Sequence, residues 1–212
     1  GLGIEHTNYP RNIALPLSIT LSGKWLIFAA GCAAASVLFT QLIAQLKKYA
    51  ERYLPRLELR MLLGGAVLVG LWQLLGESRY LGLGVPVILE SFQGTGQPAE
   101  IFLLKIVFTA ITVAAGFQGG EVTPLFFVGA SLGSLLADLL GIPVALGAGV
   151  GLAAVFAASA KSPLALSIMA AELFGASVLP HAAIVCTLAT LLSGESRLYS
   201  SQRPPLTGRP TA

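Results

Sequence analysis

The chain has 212 residues, 55% of them hydrophobic and 11% charged, with 13 Lys and Arg against 10 Asp and Glu and a formal net charge of +3. Soluble domains carry about 25% charged residues, so this composition excludes a molecule wetted on all sides and requires lipid over much of its surface. The basic residues gather in one connection (Lys47, Lys48, Arg52, Arg56 and Arg60) and in the tail (Arg197, Arg203 and Arg209). That clustering marks both segments as cytoplasmic, and a net charge of only +3 reads as a topology signal rather than as a nucleic-acid footprint.

Residues 1–16, with Pro10 and Pro16, read as a loop or the end of a preceding helix, and Gly1 opens in what reads as the tail of an earlier segment. A preceding part of the protein is therefore expected. Residues 17–53 predict a helix, apolar over 25–46 and amphipathic beyond, where Gln45, Lys47, Lys48 and Glu51 carry it out of the membrane. After Pro55, residues 61–75 predict a shorter span between Arg60 and the polar cluster Glu77, Ser78 and Arg79. Residues 82–92 are too few to cross roughly 30 Å of hydrocarbon and read as a re-entrant or partial helix. Residues 99–115 predict another apolar helix with Lys105 inside it, ended by a glycine-rich break at Gly116, Gly119 and Gly120.

The apolar run 125–156 exceeds one crossing and is divided by Gly141-Ile142-Pro143 into two helices rich in Gly, Ala and Ser, which permit close helix approach. Lys161-Ser162-Pro163 breaks the chain again before a helix at 164–174, and a last one is predicted at 178–192. The fold expected is all-α: a polytopic membrane protein with tilted, broken and re-entrant helices. One membrane helical domain covers 17–200, and a flexible cytoplasmic tail with Pro204, Pro205 and Pro210 covers 201–212. Cys32 and Cys186 are isolated in apolar runs, which predicts small buried hydrophobes; neither a metal nor a cofactor is expected. Short, interrupted helices point to transporters that bind their substrate near the midplane.

The segment Gly119-Gly120-Glu121-Val122-Thr123-Pro124 carries the chemistry. Two glycines free the backbone, Thr123 is placed to cap, and Pro124 suits a first helical position. The first amides of such a helix lack intrahelical partners, and the helix dipole adds partial positive charge, so a desolvated anion is held without a cationic side chain. Amide dipoles bind more weakly than a lysine or arginine would, which suits an ion that must leave again. The alternative is a tight interhelical turn capped by Thr123.

Other polar residues have plainer readings. The Glu121 carboxylate, next to an anion, should turn into a hydrogen bond or be protonated, and reads as structural rather than as a proton carrier. Glu172 either relays protons or makes a packing contact. Lys105 pairs with an acid in preference to snorkelling, and His6 and His181, near segment ends, read as interfacial.

The bend and the run 125–133, then Ala158-Ser159-Ala160-Lys161-Ser162-Pro163-Leu164 with Glu172 downstream, and Leu198-Tyr199-Ser200 near the end, resemble in order and spacing the C-terminal half of the CLC chloride channels and transporters. The resemblance implies one half of an inverted repeat. It also implies that the backbone amides of Glu121 and Val122 bind the central anion and that the Tyr199 hydroxyl donates to the same ion. Val122 stands where the family motif has phenylalanine, and the Glu-Val-Thr-Pro version is similar to the bacterial fluoride/proton antiporter branch. A hydroxyl at Thr123 suits fluoride, whose lost water is replaced by charge-assisted hydrogen bonds.

Taken together, the resemblance implies a proton-coupled anion antiporter exporting fluoride across a bacterial inner (plasma) membrane. Its expected partners are fluoride or chloride, protons, the lipid bilayer and a second copy in a homodimer. A chloride/proton antiporter and a passive chloride channel stay open within the family. An intramembrane serine protease using Ser131 with His181 is a remote alternative, since Leu132 follows Ser131 where such proteases have glycine. The family's gating glutamate belongs to the N-terminal repeat, so no proton gate is assigned, and this half alone is expected to be inactive.

Overall fold

The computed structural model describes Pro16, residues 19–196 and Leu198. Among these residues the chain is helical and has no strand: α1 (Ile19–Tyr53), α2 (Leu57–Leu75), α3 (Val85–Glu90), α4 (Ala99–Ala114), α5 (Val122–Leu140), α6 (Val144–Ala160), α7 (Pro163–Phe174), a 3-10 turn at Ala176–Val178, and α8 (Leu179–Leu192). The all-α expectation holds, and every predicted break is present. The breaks fall where glycine or proline interrupts the apolar runs, with Gly76 and Gly141 closing α2 and α5 in left-handed conformation.

Helix lengths decide what each piece is able to do. The 35 residues of α1 extend roughly 50 Å at 1.5 Å per residue, well beyond a 30 Å hydrocarbon layer, so this helix tilts or projects. Its basic end does the projecting. The six residues of α3 span only about 9 Å; Val87 and Ile88 anchor it by burial, and it is the partial helix expected at 82–92. Three stretches are long and apolar enough to cross a membrane: Gly23–Tyr53, Leu57–Leu75 and Val122–Leu140.

The core is built around α5 and α6. Gly129 and Gly133 on α5 face Gly147 and Gly151 on α6, so two small-xxx-small stripes meet and the backbones touch: a Cβ at Gly133 would stand 2.3 Å from the Gly147 carbonyl oxygen. Nearly all of α6 is buried, wrapped by α1, α5, α7 and α8. A polar seam ties the ends together. The Ser36 and Ser159 hydroxyls are bonded at 2.8 Å, Thr40 bonds Ser196, and the Leu198 N–H donates to the Ser159 carbonyl at 3.0 Å. Cys32 and Cys186 are both buried and free, as expected.

His181 overturns its sequence reading. It is 0% exposed, not interfacial, and its Nδ1 accepts the Trp25 indole N–H at 3.2 Å. Proline sits at the second position of α8, where a missing N–H costs nothing, so Pro180 starts the helix and carries His181 inward. Lys105 also departs from expectation: among the described residues it pairs with no acid, and it is buried rather than snorkelling. Its ammonium donates to the carbonyls of Tyr80 (3.1 Å) and Gly82 (2.7 Å) and lies 5.0 Å from the centre of the Phe127 ring. Glu172 is exposed on α7 and has no packing contact that buries it. His6 and Tyr199 lie outside the described residues.

Candidate anion site at the α4–α5 bend

The bend between α4 and α5 starts at Gly116, whose φ of +93° ends the α4 turn, and proceeds through Gly119 and Gly120 into α5. The helix begins two residues earlier than the sequence suggests, at Val122 rather than Pro124. Glu121, with φ −81° and ψ −8°, occupies the cap position already in helical conformation, and no side-chain capping bond is made. Thr123 is therefore not the cap, and Pro124 sits past the first helical position. Glu121 enters the helix in ordinary right-handed helical conformation, which leaves the Thr123 hydroxyl, at the second helical position, no cap to make. The Thr123 hydroxyl is left without a protein partner among the described residues.

The amides behave as the anion reading requires. None of the N–H groups of Gly119, Gly120, Glu121, Val122 and Thr123 donates to a backbone carbonyl; the first bond of the helix runs from Leu125 N–H to the Glu121 carbonyl at 3.1 Å. Behind them stand 19 helical residues, whose aligned peptide dipoles place roughly half a positive charge at this end. These five consecutive N–H groups have no backbone partner among the described residues, with Gly119 and Gly120 exposed and Glu121, Val122 and Thr123 half-buried, and together they form an electropositive patch.

Cavities border the bend on two sides. One, of about 170 Å³, is walled by Lys105, Thr109, Thr112, Gly119, Gly120 and Pro124. The other, of about 420 Å³, is walled by Gly119 and Glu121 together with Lys47, Glu51 and Arg60. Gly119 borders both, Gly120 the smaller and Glu121 the larger, so the start of the free-amide row lies against two spaces large enough for hydrated ions. Tyr80 closes the smaller cavity and stacks on Phe108 at 5.8 Å. Burial, with the Glu77 carboxylate adding to it, pushes the Tyr80 phenol above its usual range, so it stays neutral and does not repel an anion. Lys105 supplies this cavity with a positive charge.

Of the residues singled out from the sequence, Gly119, Gly120, Glu121, Val122 and Thr123 are brought together at the bend. The Glu121 carboxylate has neither a hydrogen bond nor an ion pair among the described residues, so of the two states expected for it, a hydrogen bond or protonation, the first is not observed. Arg60 was legible only as a topology charge; its place in the larger cavity depends on a fold that brings α2 against residues more than fifty positions away. Ser131 donates to the Phe127 carbonyl at 2.7 Å while His181 accepts from Trp25, so the pair lacks the nucleophile–base bond a serine protease needs.

Residues 4–194 match the family model for voltage-gated chloride channels. A chloride/fluoride channel protein of Pseudomonas syringae pv. tomato is 38% identical over 212 residues, covering 95% of this chain and 46% of that protein. A voltage-gated ClC-type chloride channel, ClcB, of Salmonella typhimurium is 33% identical over 112 residues, covering 49% of this chain and 27% of that protein. Among solved structures, the crystal structure of a CLC-type fluoride/proton antiporter superposes with a TM-score of 0.89 at 35% identity, covering 94% of this chain and 50% of that one. The chain thus spans about half the length of these relatives.

Proposed function

This chain belongs to the voltage-gated chloride channel family, and we propose that, in a protein of its relatives' full length, it forms the anion-binding half of a fluoride/proton antiporter that exports fluoride across a bacterial inner membrane as a homodimer. The observation that carries this reading is the row of unpaired amides from Gly119 to Thr123, whose first three residues line the two cavities. The amides of Glu121 and Val122 hold the ion, the Thr123 hydroxyl completes its shell, and Tyr199 contributes a second hydroxyl. Fluoride is favoured over chloride because the smaller ion gains more from each short charge-assisted bond, and Thr123 adds such a donor where an aliphatic residue would add none. The similarity to a fluoride/proton antiporter supports the same choice.

Proteoliposomes containing the full-length protein test the proposal. An outward fluoride gradient should drive protons uphill against their own gradient, which a passive channel cannot do. Thr123→Val should lower the preference for fluoride over chloride about tenfold, the equivalent of one hydrogen bond to a charged group at about 1.5 kcal/mol, and Tyr199→Phe should act in the same direction. Dissipation of the fluoride gradient without proton movement would leave the channel reading in its place.

A further inference from the structure

We propose that Arg60, with Lys47 beside it, forms an outer halide-binding station at the cytoplasmic mouth of the bend, one step before the free amides of α5. This rests on the anion-transport reading and adds a second ion position to it. Arg60 is held in an unusual state. Its side chain is 14% exposed, and its Nε is buried with no hydrogen-bond partner among the described residues. Among the described residues its one ion pair is a loose contact at 3.9 Å with Glu51, whose side chain is half exposed. A guanidinium presents five donors in a rigid fork suited to anions, and this one leaves most of them unused.

The surroundings direct that capacity into the cavity. Arg60 and Lys47 line the 420 Å³ space together with Gly119 and Glu121, so an anion seated on the guanidinium shares a cavity with the bend. Gly116 makes this packing possible. A Cβ there would lie 3.4 Å from Arg60 Nη2 and 2.6 Å from Leu57 Cδ1, and its φ of +93° disfavours any side chain.

The charge balance suits staging rather than trapping. Glu51 and Glu121 face the same cavity as Lys47 and Arg60, which weakens the net pull inside, while Lys48, Arg52 and Arg56 add positive charge around the connection. A mouth of this kind raises local anion concentration and capture rate, and the benefit falls as salt screens it. The clustered basic residues set this end on the cytoplasmic side, where an exported ion enters.

The test uses full-length protein in liposomes, with initial fluoride flux measured against fluoride concentration on the side of the basic connection. Arg60→Gln should raise the fluoride KM three- to tenfold with the maximal rate within twofold of the unsubstituted protein. Arg60→Lys should restore most of the affinity, and a non-transported salt at 0.5 M should shrink the difference. A merely structural arginine would instead lower the maximal rate at unchanged KM, or resist rescue by lysine, and either result overturns the station. Calorimetric titration of the purified proteins with fluoride separates this inference from the transport reading. Loss of one of two binding equivalents in Arg60→Gln supports the station even in a protein that moves no protons, whereas unchanged stoichiometry refutes it even if transport is intact.

Discussion

Gly133→Val should lower the apparent melting transition of the full-length protein by roughly 10 °C, and Gly133→Ala should lower it by a smaller amount in the same direction. The α5–α6 crossing leaves no room for either. The first carbon added at Gly133 meets the Gly147 carbonyl oxygen at 2.3 Å and Gly151 Cα at 3.0 Å, and both obstacles are backbone, which cannot rotate away as a flexible side chain would. The helices must separate, and every buried contact along α6 loosens with them. Overpacking a well-fitted core costs typically 1–3 kcal/mol and occasionally more; a main-chain obstacle places Gly133→Val at about 3 kcal/mol. At 2–4 °C per kcal/mol for a domain of this size, the shift follows. Thermal stability read by size-exclusion in detergent checks it, and valine tolerated without a shift would mean that the two helices do not cross at these glycines.

Lys105→Met should increase hydrogen exchange in residues 76–84 roughly thirty-fold without unfolding the core. Lys105 reaches from α4 to tie down the connection ahead of α3, donating to the Tyr80 and Gly82 carbonyls. Hydrogen bonds to charged groups contribute about 1.5–3 kcal/mol each. Part of that is offset because methionine removes the cost of keeping an ammonium at 2% exposure. The net loss is about 2 kcal/mol, which is a factor of about thirty in the opening equilibrium. Methionine conserves the length and apolar stem, so the packing on Phe127 persists. Exchange that speeds up across α4 and α5 as well would show Lys105 supporting the core rather than the loop.

Much of this architecture was legible because the chain punctuates itself. The apolar runs, the shortness of residues 82–92 and the Gly or Pro between pieces give the helix order without any tertiary information, and α5 and α6 showed as glycine-rich helices made for close approach. Which glycines would meet was not legible, since the pairing of Gly133 with Gly147 depends on how two helices rotate about their axes. The bend was visible in its composition, yet its cap was misplaced. Glu121 takes the cap position in helical φ and ψ with no side-chain bond, so Thr123 falls at the second helical position, where the local rule favouring a hydroxyl cap does not apply. His181 and Lys105 were misread for a different reason. Their partners are Trp25, 156 residues away, and two backbone carbonyls 23 and 25 residues away. No local pattern encodes either, because a buried polar side chain is satisfied by whatever the fold brings to it.

The central claim is that main-chain N–H groups bind the anion, and replacing one of them with oxygen tests it most directly. Substituting α-hydroxyvaline for Val122 turns that amide into an ester, deletes a single N–H and keeps the side chain. The same exchange at Val144, the first residue of α6, alters an equivalent helix start away from the bend. Fluoride affinity of the full-length protein should fall at least tenfold with the ester at 122, in line with the loss of one bond to a charged acceptor at about 1.5–3 kcal/mol, and should be unchanged with the ester at 144. Equal fluoride affinity in the amide and ester forms at 122 would contradict the account.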